Sequence, residues 1–324
     1  MNSFQDSKKN LIFADGGEKQ GFGHLIRVIN LSKILKIQSS SIFIFENSEQ
    51  QKFYKTQNVS CFSISDIPNE QYQILIIDSK FRKTALQLNL KKRVSKTLII
   101  DNIAAFKDSH HFLALPSFFE NAESINIEHL NKKKILLGPE YLILNPKIYD
   151  VTIPKRKEFL TISFGGSDPN NLTLFTLKLL QGNSLLPNIV VILGPGYKHN
   201  RSEIEKIINK KQILDNPQNI YEIFAKSFIV ITAFGVTLQE LFYLNTSAGI
   251  IANYKDDFDD YLRIEGFFKK TNKQNFFSFF GILNNVDRDK MLSAIQKSKT
   301  EMSTSQLNKD YGSGWKAFRK KMIS

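Results

Sequence analysis

Short runs of apolar residues alternate along the chain with stretches in which apolar residues recur every three or four positions. The short runs are typical of strands buried in a parallel sheet, and the longer period is typical of the helices that connect such strands. In the first half the pattern predicts strands over Leu11–Asp15, Ile42–Glu46, Gln73–Asp78, Thr97–Asp101 and Phe112–Leu115, with helices over Gly23–Lys36 and Thr84–Arg93. In the second half it predicts strands over Phe159–Phe164, Asn188–Leu193, Phe228–Ala233 and Ala248–Ala252, each followed by a helical pattern. The sequence therefore predicts the α/β class.

The predicted elements fall into two halves of similar layout. A chain of 324 residues exceeds what one hydrophobic core usually serves. The segment Asp150–Lys157 mixes a proline with charged residues just before a new strand, which is typical of a linker. We therefore predict two Rossmann-like domains, over residues 1–150 and 151–324, with a cleft between them. A final helix over Ser303–Lys321, counted with the second domain, is a candidate to cross back onto the first.

Composition narrows the class of protein. The single cysteine, Cys61, excludes intrachain disulfides and cysteine-rich zinc sites and favours a reducing compartment, so we expect a cytoplasmic protein without a metal site. No apolar run is long enough for a signal peptide or a membrane span. The net charge of +13 attracts anions, but its lysines are dispersed as on an ordinary solvated surface, so we predict no nucleic-acid binding.

The end of the chain carries the densest basic segment. Its cations are Lys316, Arg319, Lys320 and Lys321. Aromatic and aliphatic residues are interleaved with them at helical spacing, which predicts an amphipathic helix. We expect its apolar face to pack on the protein, with weak contact to a membrane surface as the alternative.

The first turn that could carry chemistry runs from Asp15 to His24 and contains four glycines. It lies between a predicted strand and a predicted helix, where free backbone N–H groups and the helix dipole favour an anionic ligand. His24 stands at the crevice where open α/β sheets bind ligands, and could take a proton from water near neutral pH. The alternative is a histidine that only caps the turn.

Two further turns lie between strands and helices in the second half. Phe164-Gly-Gly-Ser-Asp-Pro-Asn-Asn171 offers Ser167 or Asp168 as the N-cap and Pro169 as the first helical residue, with Gly165 and Gly166 open to a ligand. In Ile231-Thr-Ala-Phe-Gly-Val-Thr-Leu-Gln-Glu240, a diphosphate could bind the amides of Gly235, Val236 and Thr237. Glu240, expected in the first helical turn, could contact ribose or could only complement the helix dipole.

Two strand-ending residues are weaker candidates. Asp78 and Asp101 each end a predicted strand at the crevice edge of the first sheet and could orient sugar hydroxyls, although aspartates at such positions are often turn formers.

Four segments together resemble one family in order and spacing. They are Ala14-Asp15 followed by Gly21-Phe-Gly-His24-Leu-Ile-Arg27, then Gly138-Pro-Glu-Tyr141, then Ser163-Phe-Gly-Gly-Ser-Asp-Pro169, and then Thr232-Ala-Phe-Gly-Val-Thr-Leu-Gln-Glu240. The family is that of the UDP-2,4-diacetamido-2,4,6-trideoxy-β-L-altropyranose hydrolases of pseudaminic acid biosynthesis, with the related spore coat polysaccharide proteins. The likeness spans roughly residues 11 to 266 and implies a GT-B fold.

The resemblance also implies an activity. Members hydrolyse a UDP-sugar at the anomeric carbon and release UDP, without a metal or other cofactor. His24, with Asp15 beside it, matches the catalytic base position. The turn around Gly235 matches the diphosphate site, where the family's Gly-Gly-Ser-Thr is Phe-Gly-Val-Thr in this chain, and Glu240 matches the ribose contact. On the sugar side, the matching positions are Gly21, Gly23, Arg27, Asp78 and Asn253.

Three functions fit these residues. The leading expectation is a UDP-sugar hydrolase of surface-glycan biosynthesis. A glycosyltransferase on the same scaffold is the second, because water and an acceptor hydroxyl are alternative nucleophiles for one donor. A nucleotide-sugar binding protein without turnover is the third, since fold does not fix function.

Overall fold

The structure is a computed structural model of the chain. It describes residues 9–17, 21–79, 90, 92–103, 111–116, 134–184, 188–253, 261–262, 265, 276–300 and 311–322. The chain forms two compact units, the first made of Met1–Pro146 together with Lys309–Ser324 and the second of Lys147–Asn308. Each unit has its own sheet and core and is described by itself.

The first unit is built on a parallel sheet that has seven strands among the described residues. They are β1 (Asn10–Ala14), β2 (Ser41–Phe45), β3 (Cys61–Ser63), β4 (Tyr72–Asp78), β5 (Val94–Ile100), β6 (His111–Leu115) and β7 (Ile135–Leu137). The helices before the linker are α1 (Gly23–Ile34) and α2 (Ser48–Thr56), with 3-10 helices at Gln38–Ser40 and Pro139–Tyr141.

The strand order of this sheet is β3-β2-β1-β4-β5-β6-β7. The chain moves outward from β1 to β3 and then returns to the other side of β1 to begin β4. The carboxyl ends of β1 and β4 therefore form the topological switch point, which is where open α/β sheets bind ligands. Residues that follow β1 and β4 come together there although they are far apart in sequence.

Burial on both faces explains why the strands read as continuous apolar runs. All five residues of β1 are buried. Ile12 and Ala14 face the core that contains Leu25 of α1, whereas Leu11 and Phe13 face a second core on the other side of the sheet. The alternation is that of a strand covered on both faces.

The second unit repeats the architecture. Its strands are β8 (Phe159–Ser163), β9 (Ile189–Leu193), β10 (Ile213–Asp215), β11 (Ser227–Thr232), β12 (Ser247–Ala252), β13 (Phe277–Ile282) and β14 (Asn285–Val286). Its helices are α3 (Leu172–Leu180), α4 (Arg201–Glu205), α5 (Ile220–Lys226), α6 (Val236–Tyr243) and α7 (Arg288–Thr300), with a 3-10 helix at Lys210–Gln212.

This second sheet is parallel apart from the β13–β14 pair, which is antiparallel. Its order is β10-β9-β8-β11-β12-β13-β14, so its switch point lies between β8 and β11. The two glycine-rich turns singled out in the second half of the sequence follow these two strands. The α/β class and two Rossmann-like domains are therefore as predicted.

The last helix, α8 (Gly314–Met322), belongs to the first unit. Trp315 and Phe318 are buried in the same core as α1, and the Trp315 indole N–H donates to the Tyr141 carbonyl at 2.9 Å. The helix thus crosses back, as the sequence suggested. The division into units differs here from the predicted 151–324 domain, because this apolar helix face is buried against the first sheet and the chain enters the second unit earlier, in the 3-10 helix Pro146–Asp150.

Two predicted helices fall partly or largely on residues that the structure does not describe, Thr84–Arg93 and the start of Ser303–Lys321. Among the residues that are described, no helix is both long enough and apolar enough to span a bilayer.

Candidate functional site

The first glycine-rich turn lies at the switch point of the first unit. The Asp15 N–H donates to the Asp78 carbonyl at 3.0 Å, so the β1–β4 pairing continues to the start of the turn. Gly17 N–H donates to the Gly21 carbonyl at 3.1 Å and closes the loop, and α1 begins at Gly23. Gly21 has a φ of +76°, a conformation that L side chains rarely adopt, and no atom of the described residues lies within 4 Å of the place its Cβ would take. A side chain is therefore disfavoured at Gly21 by the backbone conformation and not by crowding.

His24 is paired with a buried carboxylate across this switch point. Its Nδ1 lies 2.8 Å from Oδ1 of Asp78, which ends β4. An ionised carboxylate can only accept, so Nδ1 carries the proton and the neutral ring has its lone pair on Nε2. Nε2 receives no hydrogen bond from any described residue, and the side chain is 22% exposed. The arrangement presents an oriented proton acceptor at the mouth of the turn.

Asp78 is held ionised by its surroundings. Its side chain is 1% exposed, and burial alone would raise the pKa of its carboxyl. The Arg27 guanidinium and hydrogen bonds from Arg27 and His24 outweigh burial and lower the pKa of Asp78 below its ordinary value. Arg27 donates from Nε to Oδ2 and from Nη2 to Oδ1, both at 2.6 Å. This bidentate pair fixes the carboxylate plane and hence the direction of the His24 ring.

The predicted direct contacts of Asp78 and Arg27 with a sugar do not fit this geometry. Both carboxylate oxygens of Asp78 are already bound within the protein, and its side chain is sealed from solvent. The Arg27 side chain is only 12% exposed and is held between Asp78 and Asp101. Both residues support His24 instead of facing the opening.

Asp15 lies beside this cluster. Its carboxylate accepts a short hydrogen bond from the Ser79 hydroxyl, and Asn102 donates from its amide to the Ser79 carbonyl at 2.8 Å. One hydrogen bond that stabilises this turn could not be predicted from the sequence. The buried side-chain amide of Gln50, in α2, donates to the Gly16 carbonyl at 3.2 Å. A glutamine in a helix carries no sequence signal for such a contact, because the contact depends on how α2 packs beside β1.

The first turn of the second unit, after β8, begins differently from the prediction. Helix α3 starts at Leu172 and not at Pro169, and its N-cap residue Asn171 has left-handed backbone. Asp168 nevertheless caps the helix, because its carboxylate accepts from the N–H groups of Leu172 and Thr173 at 2.8 and 2.9 Å. The extra residues lengthen the loop before the helix.

Gly165 and Gly166 are exposed in this turn, with no atom within 4 Å of either virtual Cβ, and Ser167 is partly exposed beside them. Below the turn lies the loop that follows β9, Leu193-Gly-Pro-Gly-Tyr197. Gly196 N–H donates to the Gly166 carbonyl at 2.7 Å, and a Cβ on Gly194 would lie 2.3 Å from the Gly165 carbonyl oxygen. The glycines after β9 are therefore needed for close backbone packing under the turn.

The turn after β11 leads directly into α6. Gly235 precedes the helix with a φ of +154°, has no side chain to cap it, and has no atom of any described residue within 4 Å of its virtual Cβ. The first N–H groups of a helix have no intrahelical partner, so those of Val236 and Thr237 are available to an anion. Phe234, which stands where the resembled family has glycine, points into an aromatic group with Phe277 and Phe279, at centroid distances of 6.4 and 6.1 Å.

Glu240 lies one residue further into the helix than predicted. The helix begins at Val236, so Glu240 is its fifth residue and the first turn contains no acid. Its Oε1 accepts from the Tyr221 hydroxyl at 3.0 Å. Burial raises the pKa of Glu240 to about 7, and the hydrogen bond from Tyr221 opposes part of that rise.

Asn253 follows β12 on the same edge of the sheet. The Asn170 amide donates to Asn253 Oδ1 at 3.1 Å, which links the turn after β8 to the end of β12. In the second unit, three kinds of group therefore lie at the same switch point. They are the glycine backbone of the two turns, the N-terminal N–H groups of α6, and the side-chain amides of Asn170 and Asn253.

Two Rossmann-like α/β units in one chain are the architecture of the GT-B fold. Among solved structures, CalG4, the calicheamicin glycosyltransferase, matches with a TM-score of 0.58 at 8% identity, covering 97% of each chain. UDP-GlcNAc 2-epimerase from Methanocaldococcus jannaschii matches with a TM-score of 0.54 at 11% identity, covering 98% of this chain and all of the other. The chain has the GT-B fold that these enzymes share.

The sequence relatives share too little identity with this chain to assign it to a family. An uncharacterized protein of Methanocaldococcus jannaschii, MJ1062, is 26% identical over 285 residues, which cover 79% of this chain and 58% of that protein. The chain thus spans little more than half the length of this relative. The spore coat polysaccharide biosynthesis protein SpsG of Bacillus subtilis is 22% identical over 250 residues, covering 71% of this chain and 73% of SpsG. No protein-family model matches the chain.

Proposed function

We propose that this protein hydrolyses a UDP-activated amino or deoxy sugar and releases UDP, as a step in the synthesis of a surface polysaccharide. The observation that carries the proposal is the 2.8 Å hydrogen bond between His24 and Asp78 at the switch point of the first unit. A histidine held in this way, with no described residue hydrogen-bonded to its second nitrogen, is the arrangement of a general base. The GT-B fold and the likeness to SpsG support the choice of substrate class.

The second unit would bind the nucleotide. A diphosphate fits the N-terminus of α6, because the Val236 and Thr237 amides, the Thr237 hydroxyl and the helix dipole all favour negative charge. The turn of Gly165, Gly166 and Ser167 supplies further donors with no side chain in the way at either glycine. Glu240 would accept hydrogen bonds from the ribose hydroxyls, and Asn253 would face the sugar.

The first unit would supply the chemistry. A water oxygen attacks the anomeric carbon while the bond from that carbon to the β-phosphate oxygen breaks. Nε2 of His24 takes the proton of the water, and the electron pair of the broken bond leaves with UDP. UDP is a stable leaving group, so a base and donors for the departing phosphate suffice.

The sugar named by the family resemblance, a 2,4-diacetamido-2,4,6-trideoxy hexose, is the first substrate to test. UDP release from that UDP-sugar and from UDP-GlcNAc would be followed by chromatography. Release of UDP with the free sugar supports the proposal. UDP binding without turnover of any donor would favour the binding-protein alternative and contradict it.

Nucleotide affinity should depend on pH through Glu240. Because the pKa of Glu240 is about 7 in the free protein, the carboxyl is neutral at pH 6 and ionised at pH 8. An ionised carboxylate accepts hydrogen bonds more strongly, so affinity for a UDP-sugar is expected to rise about fivefold over this range. Isothermal titration calorimetry with UDP-GlcNAc measures this affinity. The diphosphate diester of UDP-GlcNAc does not itself titrate between pH 6 and pH 8, so a change in affinity reports on the protein.

The variant Glu240→Gln is the control for this dependence. It should bind with an affinity that no longer changes between pH 6 and pH 8. The pH dependence of folding provides a second check, with the opposite sign. Because the pKa of Glu240 is raised in the folded protein, the folded state favours the neutral carboxyl. The free energy of unfolding should therefore fall as the pH rises through about 7. Wild-type affinity that stays flat with pH would argue against the ribose contact.

A glycosyltransferase is the second candidate, and the observation that favours it is the surface of α8. With Trp315 and Phe318 buried, the helix exposes Lys316, Arg319 and Lys321, and no acidic residue lies among residues 311–322. A cationic face of this kind fits an anionic membrane, where a lipid-linked acceptor would lie. Turnover only in the presence of an added acceptor would favour this function over hydrolysis.

The same face gives a measurable expectation. Reversing Lys316, Arg319 and Lys321 to glutamate should weaken sedimentation with phosphatidylglycerol vesicles at low salt by about a hundredfold, since each surface cation contributes about 1 kcal/mol. The matched control reverses Lys290, Lys297 and Lys299, exposed lysines of α7. Equal vesicle binding by the two triple variants would show that α8 is not a membrane contact.

A further inference from the structure

Arg27 connects the ends of two neighbouring strands with His24 in one cluster of charged groups. It lies one turn after His24 on α1, makes the two 2.6 Å hydrogen bonds to Asp78 at the end of β4, and donates from Nη1 to Asp101, which follows β5. Its Nη2 also lies 3.3 Å from Nδ1 of His24. Since Nδ1 already donates to Asp78, this contact is electrostatic and not a hydrogen bond. The cation of Arg27 therefore faces the imidazole directly.

The charge on Arg27 is permanent. Burial by itself lowers the pKa of the guanidinium, but Asp101 and Asp78 raise it far above its ordinary value. Among the described residues, the other titratable groups near the cluster are Asp15, in the neighbouring turn, and Tyr54 of α2 near Asp78. Burial raises the pKa of the Tyr54 hydroxyl, which stays neutral. The charges that act on His24 are thus mainly those of Arg27, Asp78 and Asp101.

We propose that Arg27 and Asp101 are positioning residues for the general base: Arg27 fixes the Asp78 carboxylate that orients His24, and Asp101 balances the positive charge of Arg27 beside the imidazole. This inference rests on the proposed function, in which His24 removes a proton from water. It assigns to Arg27 a role other than sugar binding. It also adds Asp101, which is 36% exposed, to the residues that determine the rate.

Opposite effects on protonation follow from the two charges. Removing the Arg27 cation favours the imidazolium form of His24, so the acidic limb of the pH–rate profile should move to higher pH. Removing the Asp101 carboxylate leaves the positive charge of Arg27 less compensated, which disfavours the imidazolium form of His24. The acidic limb of the pH–rate profile should then move to lower pH. A residue whose role was only structural, or only sugar binding, would not shift the acidic limb of the pH–rate profile in the direction that its charge predicts.

Three variants separate these effects. Asp101→Asn is mild, because the Asp101 backbone is left-handed with a φ of +53° and asparagine tolerates that conformation. Arg27→Lys keeps the charge but loses the bidentate fork, so kcat should fall about tenfold or more with KM nearly unchanged and the acidic limb unmoved. Arg27→Gln removes the charge, and the other two variants keep the inference testable if this one fails to fold.

The matched controls lie in the second unit. Arg201 likewise pairs with two carboxylates, Glu205 at 3.0 Å and Asp215. Arg201→Gln and Asp215→Asn should leave the pH–rate profile and kcat within about twofold of wild type, as surface ion pairs contribute little.

The direct measurement is an NMR pH titration of the His24 ring in the free protein, assigned by comparison with His24→Gln among the five histidines of the chain. We expect the proton on Nδ1 in the neutral ring, a higher titration midpoint in Arg27→Gln and a lower one in Asp101→Asn. This readout needs no substrate, so it stands even if no UDP-sugar is hydrolysed. Identical midpoints in wild type, Arg27→Gln and Asp101→Asn, or an Arg27→Lys variant that raises KM at unchanged kcat, would overturn the inference.

Discussion

Replacing His24 with glutamine is expected to lower kcat for UDP-sugar hydrolysis by about a thousandfold, within the range attributed to a positioned general base. Glutamine has similar reach and can still hydrogen-bond to Asp78, but it cannot accept a proton from water at neutral pH. The loss should therefore fall on kcat. The dissociation constant for UDP should stay within about twofold of wild type, because the proposed nucleotide contacts all belong to the second unit.

Ile26 provides the control on the same helix. It lies two residues from His24 and is 41% exposed, so Ile26→Gln introduces the same side chain into α1 outside the cluster. This variant should retain kcat within about twofold, as surface substitutions away from special features usually have small effects. Wild-type turnover in His24→Gln, measured by release of UDP, would remove His24 from the mechanism.

The second large effect is expected from Gly235→Ala, which should weaken UDP binding about 30- to 100-fold. The Gly235 backbone has φ of +154° and ψ of −165°, a region almost restricted to glycine. Alanine would have to change the backbone that aims the Val236 and Thr237 amides, and its methyl group would occupy the open space in front of them. Losing one charge-assisted hydrogen bond, at about 1.5–3 kcal/mol, accounts for a factor of this size.

Gly182 is the matched control in the same unit. It follows α3, has a φ of +79°, is exposed, and also has no atom within 4 Å of its virtual Cβ. Gly182→Ala should therefore carry a comparable backbone penalty of about 1–2 kcal/mol in stability without affecting UDP affinity. Calorimetric affinities of the two variants, each corrected for its fraction folded, separate strain from loss of a binding site. Equal affinities would place the diphosphate elsewhere.

The fold could be predicted from the sequence because burial on both sheet faces leaves a direct signal. The five residues of β1 are apolar apart from Asn10, and Asp15-Gly16-Gly17 marks the end of the strand. The turns after β1, β8 and β11 could also be located, since each carries glycine between a strand and a helix whatever the strand order.

The partner of His24 could not be predicted in the same way. Asp78 lies 54 residues further along the chain, and the two meet only because β4 pairs directly with β1. A strand-ending aspartate looks the same in sequence whether it faces a sugar, a turn or a buried arginine. Strand order is a property of the whole sheet, so this carboxylate was assigned to the sugar instead of to the histidine.

Local geometry explains the remaining differences. Asp168 caps α3 although it lies three residues before the N-cap residue Asn171. Asp168 and Asn171 both have left-handed backbone, which lengthens the loop before the helix. The glycines at 194 and 196 have no sequence motif of their own, and their role appears only from the backbone atoms of the neighbouring turn. Glu240 lies beyond the first turn because α6 starts immediately after Gly235.

The central claim is that water attacks the anomeric carbon of a UDP-sugar with His24 as the base. Hydrolysis in water enriched in oxygen-18, followed by mass spectrometry of both products, tests it most directly. We expect the heavy oxygen on the anomeric hydroxyl of the released sugar and none in UDP, with the labelled sugar lost in His24→Gln. Heavy oxygen in the β-phosphate of UDP, or labelled sugar formed equally by His24→Gln, would contradict it.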